Sequence, residues 1–496
     1  MKQIGLSLII LLCFPIFLKA QEFNVVDFGA IADGKTLSTT AIQAAIDQAH
    51  QNGGGRVLLP EGRFLSGSIV LKSHVELHLS DNATLLGSTN PQDYVKLKRW
   101  KGLVMADHAE NISITGHGTI DGQGAKLALH IDSLFYAGEI DSADYELPMK
   151  RPLAPIRPQI IEMVHCKGIV VSGVTIQNGA CWVSTYDMCE DMVIDSIRID
   201  SDEYWNNDGI DLVNCKNVIV SNSFVNAADD GICLKSYTYQ RDGTEYCENI
   251  IIENCTVRSS ASAVKIGTAS YGGFRNVIIR NIKVYDTFRS AIALEAVDGG
   301  FLENVLVENI TATNTGNAIF IRLAKRSKRF EPGTLKNVTI RNMTVEVPFE
   351  RPDVAYKLQG PALPFFHNVF PASITGIPDH YVENVLLENI EIRYPGKGNP
   401  AYAIMPLWRL EQVPEQIGLY PEFSMFGELP AWGFYVRHVK GLTMKNIRLS
   451  IEEADYRPAM VFDDVQDLLI TDLVVEGDDK PEPIFLHHTE DVTIKE

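Results

Sequence analysis

Beyond residue 20 the chain has no apolar run long enough to cross a bilayer, which leaves no candidate membrane span in the rest of the sequence. Positive charge is scarce: 44 Lys and Arg stand against 63 Asp and Glu, a formal net charge of −19. That balance argues against nucleic acid and anionic membranes as partners. It leaves room for an acidic sugar polymer met by a local cluster of cations. Helical periodicity is nearly absent too. One amphipathic stretch is found, so βαβ units, which need a helix between every pair of strands, are excluded. Cysteine is sparse, with seven of the eight between Cys166 and Cys255. No histidines share their spacing, which disfavours a metal cluster. Cys166, Cys189, Cys215 and Cys247 each stand two residues before a Gly, Asp or Asn. That recurrence fits a column of buried thiols, one per repeat; disulfides in an oxidising compartment are the other reading.

The first twenty residues read as a secretory signal, with Lys2, an apolar run from Ile4 to Leu18, and Leu18-Lys19-Ala20 before the cut. A secreted or periplasmic protein is expected, its residues 21–496 forming one catalytic body. After a short strand in VVDFGA, Ser38 is placed to cap a helix over 39–51, with Ile42, Ala45, Ile46 and Ala49 on one face. Strands are expected at 56–59, 67–71 and 75–79.

A repeat then takes over, seen in CKGIVVSGVTI, CEDMVIDSIRI, CKNVIVSNSFV, FRNVIIRNIKV and LKNVTIRNMTV, with shortest steps of 23, 24 and 26 residues. Each unit holds two alternating strands joined at an Asn, Gly or Ser corner, and a preceding strand completes the coil. The fixed leucine frame of leucine-rich repeats is missing. The expected fold is all-β: a right-handed parallel β-helix with a short N-terminal capping helix. The marker asparagines suit left-handed corners and amide stacking rather than catalysis. Insertions at 123–157, 346–380 and 393–431 are expected as surface loops walling a groove, with Trp408, Tyr394, Tyr402, Tyr420, Phe423 and Phe426 as sugar-stacking candidates or loop packing.

Within the repeat, Asp208-Gly209-Ile210-Asp211-Leu212 is echoed 22 residues later by Asp230-Gly231-Ile232-Cys233-Leu234. One coil in that interval stacks Asp208 on Asp230, with Asp229 beside it, since neighbouring strands lie about 4.8 Å apart. Aligned coils put Asp208, Asp230, Ser262, Ser290 and Asn317 in one column. They put Asp211, Lys235, Lys265, Glu295 and Arg322 on the adjoining outer face, with Ile210, Leu212, Ile232 and Leu234 turned inward. Crowded carboxylates raise at least one pKa, which suits an acid and a base working together. An inverting pair normally stands about 6.5–9.5 Å apart. A calcium site or a solvated acidic corner uses the same residues differently.

These motifs resemble glycoside hydrolase family 28, the polygalacturonase-like enzymes. The resemblance runs from VVDFGAIADG through GTIDGQG and RPQIIEMVHCKGIVVSGVTIQNGACW to Asn206-Asn207-Asp208-Gly209 and Asp229-Asp230-Gly231. It implies inverting hydrolysis of pectic α-linkages, Asp229 acting as general acid while Asp208 and Asp230 position and deprotonate water. Two family motifs are replaced. Ala261-Ser262-Ala263 stands where Gly-His-Gly is expected, and Ala293-Leu294-Glu295 where Arg-Ile-Lys is expected; Gly116-His117-Gly118 falls too early to substitute. The loss points away from plain polygalacturonan toward rhamnogalacturonan or another decorated pectin. Replacement cations are Lys265, Arg275, Arg289 and the run Arg322, Lys325, Arg326, Lys328, Arg329, which also reads as a solvated loop. Candidate substrate-binding residues are Asn206, Asp211, Lys235, Lys265, Arg289, Glu295 and Arg322. No cofactor and no metal ligand are assigned; a monomer is expected, acting on a pectic polymer or oligosaccharide, and the long loops point toward exo action. A calcium-dependent β-helix lyase and a non-catalytic carbohydrate-binding rod are the alternatives.

Overall fold

In the computed structural model, residues 21–97, 100–238, 245–478, 480 and 482–495 are described. The secretory segment expected in residues 1–20, with Cys13, lies outside them. Strand follows strand around a coil, and the strands of the large sheet pair in parallel with their counterparts one coil on, while Tyr145–Glu146 and Arg151–Pro152 form a separate antiparallel pair in the first insertion. Ser184–Asp187 pairs with Ile210–Val213, that strand with Ile232–Ser236, and that in turn with Val264–Ser270. The register is Ile210↔Ile232↔Val264↔Ile292↔Ile319, which fixes the columns expected from the repeat.

Parallel pairing in register puts like on like. The inward column is aliphatic, and Ile210, Ile232, Val264, Ile292 and Ile319 are all fully buried in one continuous core. Each such side chain removed from water contributes about 1.5–3 kcal/mol. At the corners the backbone turns left-handed, a conformation that Asn tolerates best among residues with a side chain. Asn217, Asn249, Asn276, Asn304, Asn337 and Asn384 all have positive φ. Their amides form a ladder, Asn249 Nδ2 donating to Asn217 Oδ1 at 3.1 Å and Asn276 to Asn249 at 3.2 Å. A second ladder climbs through Asn254, Asn281, Asn309 and Asn342. The asparagines are structural.

All seven cysteines from Cys166 on are free and buried. Cys166, Cys189, Cys215 and Cys247 precede residues paired in register, Lys167↔Glu190↔Lys216↔Glu248, so the thiols form a column.

The helix occupies Thr39–Gln51 and buries Ile42, Ala45, Ile46 and Ala49. Ser38 does not cap it; its Oγ instead accepts from the N–H of Ile31 at 3.0 Å. A strand at Gly62–Ser66 and a helix at Gly124–Tyr136, inside the first insertion, were not expected. No helix among the described residues is long and apolar enough to cross a membrane.

The third insertion determines the shape of the groove. On the outer face, the column Ala293↔Phe320↔Ser373↔Tyr435↔Val461 is largely apolar. Leu410, Val413, Phe423, Met425, Phe426 and Leu429 of the insertion pack on it as a separate apolar cluster. The outer face is therefore covered from the coil of Ala293 onward, and the groove ends there.

Candidate active site

Asp208 and Asp230 sit two residues before the register-paired Ile210 and Ile232, in the turns that enter those strands. The backbone N–H of Gly209 donates to the carbonyl of Asp230 at 2.9 Å, locking the two turns together. Asp229 precedes Asp230 in the same turn, and its Oδ1 accepts from the backbone N–H of Asp230 at 3.0 Å. One carboxylate oxygen from each of Asp208, Asp229 and Asp230 lies within 4.8 Å of the others. The coil does what the 22-residue echo predicts. The nearest oxygens are closer than the 6.5–9.5 Å expected of a separated inverting pair.

Two lysines pair with these acids. Lys235 Nζ lies 3.0 Å from both Asp208 Oδ2 and Asp211 Oδ1, and 4.7 Å from the centroid of the Trp182 ring. Lys265 Nζ lies 3.0 Å from Asp230 Oδ2 and 2.8 Å from the Tyr420 hydroxyl. Two ammoniums paired with two of the three carboxylates repel a further cation there. The geometry disfavours the calcium reading.

Burial dominates the proton affinities, and the neighbours then separate them. Burial pushes Asp229 up, reinforced by the charge of Asp230 beside it. Burial also acts to raise Asp230, but the Lys265 and Lys235 ammoniums outweigh it and hold that carboxyl below the usual carboxylate range. Asp208 is pushed well up by burial despite Lys235, because it shares that one ammonium with Asp211. Asp211 itself is raised to about 6, again by burial. Adjacent residues with proton affinities driven apart are the pattern of an acid beside a base.

Trp182, Asn206, Asp208, Asp229, Asp230, Lys235, Tyr237, Thr268, Ala269, Tyr271, Arg326 and Tyr420 line a cavity of about 340 Å³. Residues 51–348 match the family described as glycosyl hydrolases family 28.

The chain belongs to glycosyl hydrolases family 28.

Relatives of this family-28 chain include the exo-poly-alpha-D-galacturonosidase of Dickeya chrysanthemi, 25% identical over 437 residues that make up 75% of this chain and 71% of that protein. A probable polygalacturonase of Vitis vinifera is 25% identical over 347 residues, 66% of this chain but only 61% of the relative. Among solved structures, an exopolygalacturonase from Thermotoga maritima superposes with a TM-score of 0.62 at 23% identity, covering 86% of this chain and 91% of the other. That last likeness bears on the fold alone.

Several expected substrate ligands are elsewhere in the family-28 fold. Asn206 and Lys235 line the cavity, whereas Lys265 and Asp211 lie behind it, buried on the carboxylates. Arg289 pairs with Glu422 at 3.2 Å and helps hold the third insertion. Arg322 is buried, donating to the backbone carbonyls of Gly376 and Glu415. Glu295 is buried 3.9 Å from Lys265, and burial raises its pKa to about 8. An outward-facing strand position meets solvent only where no loop covers it, and here the insertions cover most of them. Arg275 pairs with Glu248 on the flank. His117 is exposed beside Asp81, away from the cavity.

Of the aromatic candidates, Tyr420 alone lines the cavity. Tyr394 is buried, its hydroxyl donating to the Gly433 carbonyl, and Phe423 and Phe426 belong to the docked apolar cluster. Trp408 is 78% exposed. Residues the repeat did not single out are Trp182, Tyr237 and Tyr271 on the walls, and Arg157. The buried Arg157 guanidinium donates to the carbonyls of Ala180 and Trp205 and to Asn206 Oδ1, all at 2.7 Å, and so shapes the turn that presents Asp208.

Proposed function

We propose that this protein hydrolyses α-glycosidic bonds in a pectic polysaccharide or its oligosaccharides, acting from the chain end. The observation that carries the proposal is the convergence of Asp208, Asp229 and Asp230 within 4.8 Å, two of them paired to buried lysines. Asp229, its proton affinity raised, is assigned as the general acid at the leaving oxygen. Asp230, held ionised by Lys265, is assigned as the base, with Asp208 orienting the same water. Two oxygens separated by up to 4.8 Å can both accept from one water at about 2.8 Å, so the close spacing suits a shared nucleophile. Inversion is the expected stereochemistry, on that geometry and on family membership.

End-on action rests on the docked third insertion, which brings Tyr420 onto Lys265 and Glu422 onto Arg289 and closes the groove on one side. Relatives named as exo-acting are consistent with it. A uronate carboxylate is assigned to Arg326. Its Nε and Nη2 are taken by Asp298 at 2.8 and 2.7 Å, which leaves Nη1 and a second Nη2 proton as a fork toward the cavity. The remaining features of the reading are a right-handed coil with its first turn covered by the helix Thr39–Gln51, export by the N-terminal segment, and action as a monomer.

The testing experiment is product analysis on galacturonan and rhamnogalacturonan oligosaccharides. Saturated products released singly from one end, with the anomer first formed inverted relative to the bond cleaved, are expected. Unsaturated products would instead indicate a lyase, and polymer binding without new reducing ends a non-catalytic rod.

A further inference from the structure

The register that stacks the catalytic acids also gathers metal-binding side chains on the last two coils. Asp463, in the strand Met460–Glu476, pairs with His487 in the final strand Ile484–Lys495. In an extended strand, successive side chains point to opposite faces. Here His488 has a left-handed backbone, φ 48°. The turn at that residue brings the two imidazoles to one side, with ring centroids 3.8 Å apart. One donor atom from each of Asp463, His487 and His488 lies within 4.8 Å of the other two.

The carboxylate is held from behind. Asp463 is buried, and Arg437 Nε lies 3.1 Å from its Oδ2, while His487 Nδ1 lies 2.8 Å from its Oδ1. Arg437 is in turn fixed by Glu415 at 2.7 Å and by the carbonyl of Val413. His438 on the neighbouring coil uses one ring nitrogen on Asp464 and the other on Glu415. The cluster thus offers one oriented carboxylate oxygen and two imidazoles, with His488 exposed and an open side toward solvent. Two imidazoles with a carboxylate are the donor set of zinc and its neighbours, whereas calcium and magnesium take oxygen. Bonds of about 2.0–2.2 Å to a tetrahedral ion put donors a little over 3 Å apart, so the exposed His488 has only a short distance to close. The contrast with the catalytic carboxylates is chemical: there, two lysine ammoniums pair with the acids, and no imidazole lines the cavity among the described residues.

We propose that Asp463, His487 and His488 bind a borderline divalent transition-metal ion of the zinc class, which clamps the final strand to the coil beneath it. That strand is the last in the parallel stack among the described residues and pairs on one side only. A cross-strand ion there stabilises the folded chain by mass action.

The test is calorimetric titration of the untagged, chelator-stripped full chain with zinc chloride, run alongside thermal unfolding with and without the ion. One saturable equivalent and a zinc-dependent rise in Tm are expected. His488→Ala, an exposed change that leaves the fold and zinc-free hydrolysis intact, should weaken binding by about ten-fold or more and abolish the Tm shift. Asp229→Asn, which alters the other acidic cluster, should bind zinc as the unsubstituted chain does. Absence of saturable binding, unsaturable uptake of several equivalents, or undiminished binding by His488→Ala would each overturn the assignment.

Discussion

Lys265 and Asp230 form a buried ion pair across adjacent coils, Nζ to Oδ2 at 3.0 Å, and Tyr420 from the third insertion completes the shell of that ammonium at 2.8 Å. That pair is the largest favourable influence holding the Asp230 carboxyl below the usual range, while burial raises its neighbour Asp229. Removing the cation takes away the direct partner of a buried carboxylate, leaving only the more distant Lys235 and Arg289. We predict that Lys265→Met destabilises the chain by about 3–5 kcal/mol at neutral pH, measured by denaturant unfolding. The acid limb of its activity profile should also move to higher pH, because Asp230 then protonates more readily.

Wild-type activity should be bell-shaped in pH. Asp230 is depressed, so base function persists to acidic pH and fails only as pH falls through its folded pKa. Asp229 is raised, so acid function is lost as pH climbs through its own. The same signs apply to stability. The Lys265–Asp230 pair contributes stability present above the unfolded carboxylate pKa and lost at low pH. Initial rates of hydrolysis across pH, beside Tm across pH, check both limbs.

Arg326→Ala should raise KM on a uronate-bearing substrate by about ten- to a hundred-fold, with a smaller change in kcat, since the fork binds the ground state and transition state alike. Arg326→Lys should not restore it, because a point charge lacks the bidentate edge. Steady-state kinetics on one oligosaccharide decide this. An unchanged KM in Arg326→Ala would remove the carboxylate assignment.

Glu422→Ala should free the third insertion from Arg289 and loosen the closed end of the groove. The expected result is a shift from single terminal products toward mixed internal cleavage, read by chromatography of early products. Retention of the single-product pattern would show that the apolar docking of Phe423 and Phe426 suffices without the ion pair.

Most of the architecture was legible in the sequence because parallel coils repeat their register exactly where the chain repeats its residues. Ile210 and Ile232 fall in one column, and Asp208 over Asp230 follows from the 22-residue step. The asparagine corners were legible for the same reason. What the repeat could not show is what covers its outer face. Arg322 and Glu295 stand at outward positions and are nonetheless buried, because insertions with no repeat of their own fold back over them. Arg326, one coil-end further, escapes that cover and reaches the cavity. Trp182 and Tyr271 carry no periodic signal that would mark them as walls. Ser38 has the residue type of a helix cap but spends its hydroxyl on Ile31, a tertiary contact outside the reach of local pattern.

The most direct measurement compares reducing-end release by the unsubstituted chain and by Asp229→Asn on pectic oligosaccharides, with unfolding followed in parallel. A fall in kcat of about 10²–10⁴-fold is expected with Tm unchanged or higher, since an amide is cheaper to bury than a crowded carboxyl. Turnover near that of the unsubstituted chain in a folded Asp229→Asn variant would contradict it.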